Sequence, residues 1–260
     1  MSVDNASLPL PFCPLFNRTP LKTHSLLERL KTRYRAILSY DNERPVLADH
    51  MHRHAIAGTS KILDVGCGFG RNLAWLHAAG YAAIGVDVNP VAIASNRARG
   101  LTCMLAAEFE QSADIYDIVL MSHVIEHFPP AELKEFLDHH LDRLKTGGKL
   151  IIATPLMSEY FYDDFDHVKP YQPVGISMVF GAGDAQVQYS SRNKLLLRDL
   201  WFRKSHFRIS FARARYLHSP GTILLRLADL LSAFVFLASG CRIGRTDGWI
   251  GVFEKITPAR

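Results

Sequence analysis

The chain has 260 residues, 48% hydrophobic and 21% charged, with a formal net charge of +5. These values sit near the globular average, so they exclude a composition-biased chain and predict one large core with a small accessory part. The four cysteines, Cys13, Cys67, Cys103 and Cys241, stand singly with no C-x-x-C pair. That argues against a disulfide framework or structural zinc and predicts a reducing, cytosolic setting.

In chain order, the first ten residues include Asp4 and no long apolar run behind a basic start, so no secretory signal is predicted. Pro9, Pro11, Pro14 and Pro20 predict an irregular arm. Leu26, Leu27, Leu30, Tyr34, Ile37 and Leu38 then share a helical face, and a shorter helix runs through Val46, Leu47 and Met51. His50, His52 and His54 alternate, which puts at most two on one helix face, and they are expected in solvent. From Lys61 short apolar runs alternate with helical segments, the pattern of βαβ units and a parallel sheet. Strands are predicted at about 61–65, 82–87, 101–105, 117–122 and 149–153.

The first strand runs into a turn, Asp64-Val65-Gly66-Cys67-Gly68-Phe69-Gly70-Arg71, with a helix predicted from about Asn72. Glycines let the backbone approach a ligand at positive φ, and the helix start offers free N–H groups, so a nucleotide-like ligand is expected there. A dinucleotide turn, G-x-G-x-x-G, would need glycine where Arg71 stands. Asp64 would repel a pyrophosphate but attract the ammonium of a methionine-like group, which favours S-adenosylmethionine over NAD.

The second strand ends at Asp87-Val88-Asn89, where an acid can accept hydrogen bonds from both hydroxyls of a ribose. The third leads into Ala106-Ala107-Glu108, with Glu108 the nearest acid to an adenine amino group, although Ala107 is the alternative position. The fourth gives Tyr116 to Met121, then Ser122-His123-Val124-Ile125-Glu126-His127. His123-Val124-Ile125-Glu126-His127 also fits a zinc-peptidase pattern, H-x-x-E-H. That pattern needs a helix, and Pro129 with Pro130 prevents one from running through Phe128, so it is set aside. A helix then buries Leu133, Phe136, Leu137, Leu141 and Leu144, with Gly147 and Gly148 as its predicted end.

Asp64 to Gly70, Val86 to Asn89, Tyr116 to Phe128 and Leu144 to Pro155, in that order, resemble the class I S-adenosylmethionine-dependent methyltransferases. The resemblance covers Lys61 to Pro155 and is nearest to a bacterial group that includes ubiquinone-pathway and cell-surface glycan O-methyltransferases. It implies a Rossmann-like α/β fold: a mostly parallel seven-stranded sheet with an antiparallel C-terminal edge hairpin and helices on both faces. Residues 1–58 are expected as an arm and helices covering the cofactor site, and 59–260 as the methyltransferase domain. Asp64, Gly66, Cys67, Gly68, Asp87, Val88, Glu108, Ser122 and His123 are expected to line S-adenosylmethionine.

Methyl transfer to a hydroxyl needs alignment and a base. His167, on a loop (156–190) that leaves the fifth strand on the acceptor side, is the first choice, with Asp166 or Asp164 to orient it, and His127 is the second. A metal-free site is expected, with Glu126 and His127 as an alternative pair for a divalent ion, as in the ubiquinone-type relatives. The acceptor is expected to be a small molecule, glycan or lipid-linked compound. A nucleic-acid substrate is disfavoured, because an Asp/Asn-Pro-Pro-Tyr-like tetrapeptide would follow the fourth strand where Ser122-His123-Val124-Ile125 stands. A non-catalytic binding module is the other alternative.

Towards the C-terminus a helix is predicted near Lys194 to Lys204, and strands at Phe207 to Tyr216 and Gly248 to Glu254. Arg192 to Arg215 is basic, either a cationic face for an anionic partner or a solvated face. A helical insertion over 219–240 holds Leu224, Leu225, Leu227, Leu230, Leu231, Phe234, Val235, Phe236 and Leu237, interrupted by Arg226 and Asp229. It is too short to span a bilayer, which takes ~20 apolar residues. It is expected either as a buried or dimer-interface helix or as a peripheral contact with the inner face of a membrane.

Overall fold

The computed structural model describes residues 32, 37, 40–183, 188–208 and 220–257. The proline-rich arm lies outside the described residues, as does the predicted helix face from Leu26 to Leu38 apart from Ile37, which is helical. Helix α1 spans Glu43–His54. It is followed by β1 (Lys61–Val65), α2 (Arg71–Ala78), β2 (Ala82–Asp87), α3 (Pro90–Ala98), β3 (Cys103–Leu105), α4 (Ala106–Gln111) and β4 (Tyr116–Ser122). A 3-10 turn at Ile125–His127 leads to α5 (Pro130–Asp142) and β5 (Leu144–Pro155), and a second at Phe161–Asp163 to α6 (Pro173–Phe180). The chain closes with β6 (Lys194–Ser205), α7 (Pro220–Ala238) and β7 (Arg245–Ile256).

The seven strands lie in the order β3-β2-β1-β4-β5-β7-β6. The first five are parallel, and β7 runs antiparallel to β5. The sheet is therefore a Rossmann-like α/β sheet with antiparallel C-terminal strands. Its central strands read as apolar runs because both faces are covered: Ile62, Leu63 and Val65, and Ile118 to Met121, are all buried. Strand order reverses between β1 and β4, the switch point at which open α/β sheets bind ligands, in the crevice outside the carboxyl ends of the strands. Asp64 and Ser122 stand at those ends.

Local sequence explains most boundaries. Asn89 caps α3, its side chain accepting from the Val91 and Ala92 amides, with Pro90 in the first turn. Pro130 opens α5 in the same way. Several expectations fail. α5 ends at Asp142, with Arg143 as its C-cap, and Gly147 and Gly148 lie inside β5 instead of ending the helix. Pairing there jumps from Tyr116↔Leu144 to Ile118↔Lys149, and Gly147, at φ 80, turns the extra residues of this bulge.

The segment 194–205 is strand β6 and not a helix. Helix propensity distinguishes such residues by only a few tenths of a kcal/mol, and ladder hydrogen bonds beside β7 outweigh it. Phe207 and Arg208 follow that strand, and the rest of the predicted 207–216 strand lies outside the described residues. β7 and β6 close the C-terminal edge of the sheet, with α7 in their connection. His50 is buried at 1% exposure, not solvated, with Nδ1 2.9 Å from Arg53 Nη2.

Leu47–Phe202 with Asp247–Arg260 form one compact unit, and Met1–Val46 with Arg203–Thr246 a second. The first holds the main core, in which Tyr116, Phe109, Trp249 and Phe253 are fully buried. In the second, Arg203 pairs with Glu43 at 2.6 Å, and Ala233 and Phe236 of α7 are buried.

Candidate functional site

The turn after β1 is held by close contacts that only glycine allows. Gly66, Gly68 and Gly70 have φ of 68, 49 and 75°. A Cβ on Gly66 would lie 2.6 Å from Val124 Cγ2, and one on Gly70 2.6 Å from Asn96 Oδ1. Asn96, fully buried on α3, donates through Nδ2 to the Gly68 carbonyl at 2.8 Å, and Arg99 donates to the Phe69 carbonyl at 2.6 Å. α2 starts directly at Arg71, so its first amides face the turn.

Asp64 is 1% exposed, and its Oδ2 has no hydrogen-bond partner. Burial, reinforced by the charge of Asp87 and only partly offset by the Leu73 amide, pushes its carboxyl up to about 7. An unpaired buried carboxylate is costly, and a cation beside it would offset that cost. Asp87 Oδ2 accepts from the Gly68 amide at 2.7 Å and Oδ1 from the Asn89 amide at 2.8 Å. These bonds orient the carboxylate, and each oxygen keeps a lone pair for a ligand hydroxyl. Val88 beside it is exposed, as is Phe69 in the turn. Burial and the nearby Asp64 raise the Cys67 thiol to about 12, so Cys67 is a packing group. Glu108 accepts from the Leu105 amide (2.7 Å) and from Arg97 (2.6 Å), bonds that hold its carboxyl below the usual range.

The other half of the crevice follows β4. Ser122 ends the strand half-buried, and His123, at φ 57, donates its amide to the Ala153 carbonyl. Glu126 is fully buried. Its Oε2 accepts from Thr154 Oγ1 at 2.9 Å, and its Oε1 stands 3.3 Å from His123 Nδ1 without a hydrogen bond. The Glu126 carbonyl accepts from the Val168 and Lys169 amides, which draws the 156–170 loop onto the turn. His127 and His167 meet edge to face, with ring centres 4.9 Å apart.

His167 Nδ1 lies 2.6 Å from the Phe161 carbonyl, and His127 Nδ1 3.1 Å from the Asp166 carbonyl. A carbonyl only accepts, so Nδ1 carries the proton in both rings and Nε2 is left with a lone pair. Asp164, not Asp166, is the carboxylate beside His167, with Oδ2 3.8 Å from Nε2. What Asp166 contributes is its carbonyl to His127.

A family model described as a methyltransferase domain matches residues 26–220. With the sheet order and the glycine turn, this decides the family. The chain belongs to the class I S-adenosylmethionine-dependent methyltransferases. It is 31% identical over 136 residues to the mitochondrial ubiquinone biosynthesis O-methyltransferase of Mus musculus, an overlap of 47% of this chain and 35% of that protein. The Homo sapiens protein of that name is 32% identical over 128 residues, 44% of this chain and 33% of that protein. The matched region thus spans about a third of those relatives. Among solved structures, a S-adenosylmethionine-dependent methyltransferase from Archaeoglobus fulgidus superposes with a TM-score of 0.51 at 21% identity, covering 88% of this chain and all of that one.

In this methyltransferase Asp64, Gly66, Gly68 and Asp87 gather at the turn after β1 and the end of β2, and His127 meets His167 where the turn after β4 touches the loop after β5. Glu108 is engaged by Arg97 and its own helix start. Sequence reasoning missed Asn96, Arg99 and Thr154, which hold the turn and Glu126 through contacts far apart in sequence. Glu126, His127 and His167 each place a ligand atom within 4.8 Å of the others. With Oε1 of Glu126 buried and unbonded, this donor set fits a divalent cation.

Proposed function

We propose that this methyltransferase transfers a methyl group to a hydroxyl of a small-molecule acceptor, with His167 as the general base. The observation that supports this most is the bonding of both histidines: Nδ1 of each meets a backbone carbonyl, so in the neutral ring Nε2 is the nitrogen that keeps a lone pair. S-adenosylmethionine, when bound, would supply an electrophilic sulfonium methyl group whose bonding pair would remain with sulfur as the leaving group. Asp64 would hold the amino-acid ammonium, Asp87 the ribose hydroxyls, and the amides of the Gly66–Gly70 turn would line the remainder. On the acceptor side, His167 Nε2 takes the hydroxyl proton, and Asp164 at 3.8 Å favours the imidazolium that results. Phe161 under the His167 ring fixes its plane. The mouse and human relatives, named as O-methyltransferases, agree with a hydroxyl acceptor.

A second reading rests on the unbonded Glu126 oxygen: Glu126, His127 and His167 hold a divalent cation that acidifies the acceptor hydroxyl. The test measures S-adenosylhomocysteine release with phenolic, carbohydrate and lipid-linked hydroxyls, each with and without a chelator. Release with a hydroxyl acceptor that survives chelation supports the histidine base; loss restored by metal supports the cation. Release with amine or nucleic-acid acceptors alone sinks the proposal.

A further inference from the structure

Helix α7 is oriented against expectation for a core element. Leu224, Leu227, Leu231 and Phe234, spaced three or four apart, form one stripe and are 57 to 72% exposed. The side turned inward holds Ala233, Phe236 and the acid Asp229. An exposed apolar stripe on a 19-residue helix is uncommon on a soluble surface and marks a contact. Among the described residues no helix is long and apolar enough to cross a membrane, so α7 is suited to lie on a surface, not to pass through one.

Charge identifies the partner. The unit containing α7, Met1–Val46 with Arg203–Thr246, carries 15 lysines and arginines against 5 aspartates and glutamates. The remaining unit carries 15 against 20. The modest net charge of the chain is therefore the sum of a cationic unit and an anionic one. Arg203–Thr246 alone has eight lysines and arginines, with Asp229 as its one acid. A second copy seated on the stripe would bring two such cationic units together, and repulsion opposes that. Nucleic acid would satisfy the charge but leave the leucines and Phe234 in water. A surface that takes up apolar side chains and presents negative charge satisfies both.

We propose that α7 docks the protein on an anionic lipid bilayer, with Leu227, Leu231 and Phe234 entering the headgroup boundary and the net positive charge of its unit supplying the attraction to the lipid phosphates. The docking is independent of the acceptor that is methylated.

Flotation of the full-length protein with vesicles tests it, comparing pure phosphatidylcholine with a mixture containing about one third phosphatidylglycerol. Binding is expected to the anionic vesicles at least about tenfold over the neutral ones. It should fall as salt rises from 0.1 M to 1 M, since the screening length shortens from ~10 Å to ~3 Å. Leu227→Ser with Phe234→Ser should reduce flotation at least about fivefold while melting temperature and S-adenosylmethionine affinity stay within error, because both side chains are exposed. Phe236→Ser is the contrasting variant, and a lower melting temperature is expected of it because Phe236 is buried. Equal binding to both vesicle types, no binding to either, or unchanged flotation of the double variant each overturns the proposal. So does a dimer in light scattering that the double variant converts to monomer.

Discussion

The two halves of the crevice are built differently. Around Asp64 and Asp87 the contacts are made by backbone: glycine amides, the start of α2 and carbonyls fixed by Asn96 and Arg99. Around His127 and His167 they join a turn after β4 to a loop after β5, His127 bonding the Asp166 carbonyl 39 residues on while His167 bonds the Phe161 carbonyl 6 residues back. The first half draws on a short glycine turn and the end of β2, closed by Asn96 and Arg99 from 28 and 30 residues further on. The second must suit an acceptor, and its parts come together only when β4 and β5 pair. Disturbing the first half should therefore change affinity for the cofactor, and disturbing the second should change turnover.

The sharpest separation is expected at His167. His167→Ala should lose roughly 10² to 10⁴ in kcat, the usual contribution of a positioned base, with S-adenosylmethionine affinity unchanged by calorimetry. His127→Ala measured beside it decides which ring takes the proton. If it alone loses turnover, the base belongs to the turn after β4 and the loop only shapes the acceptor pocket.

On the cofactor side, Asp87→Ala should weaken S-adenosylmethionine binding by about ten- to a hundredfold, the equivalent of hydrogen bonds to a charged group worth ~1.5–3 kcal/mol. Its kcat at saturating cofactor should change little. A loss of kcat at unchanged affinity would erase the proposed division between the halves.

A smaller effect concerns pH. The Asp64 carboxyl, ordinarily at 3.8, lies at about 7 in the folded chain, so between those values the folded protein holds a proton that the unfolded chain has lost. Stability of the ligand-free protein from this group therefore falls as pH rises from about 4 to 7. A cation beside the ionised carboxylate reverses that cost, so S-adenosylmethionine affinity should rise with pH up to about 7, by at most about tenfold per unit. Asp64→Asn should bind more weakly and show a flat profile from pH 5.5 to 8. A wild-type affinity that does not move over that range removes Asp64 from contact with the ammonium.

The smallest change is expected from Asn96→Ala, which leaves the Gly68 carbonyl without its donor. A stability loss of about 1–3 kcal/mol should appear in thermal unfolding, together with a modest loss of cofactor affinity. Unchanged stability would mean that the turn holds its shape through its glycines alone.

The sequence by itself determined the βαβ order, five strands to within a few residues, the glycine turn and the acids at Asp64 and Asp87. Those signals are local: apolar runs of strand length, glycines where φ is positive, and prolines at helix starts. It also placed His127 and His167 at one rim, because loops after parallel strands emerge on the same side. Tertiary structure alone decided the rest. It made β6 a strand, because ladder bonds beside β7 outweigh leucine's slight helical preference. It moved Gly147 from a helix end to a bulge, because β5 starts early against Tyr116. It chose Asp164 over Asp166 as the neighbour of His167, since which of two close aspartates faces a ring depends on how the loop folds. It also buried Phe236 and left Phe234 exposed, because the rotation of an apolar helix is fixed by what packs against it and not by its composition.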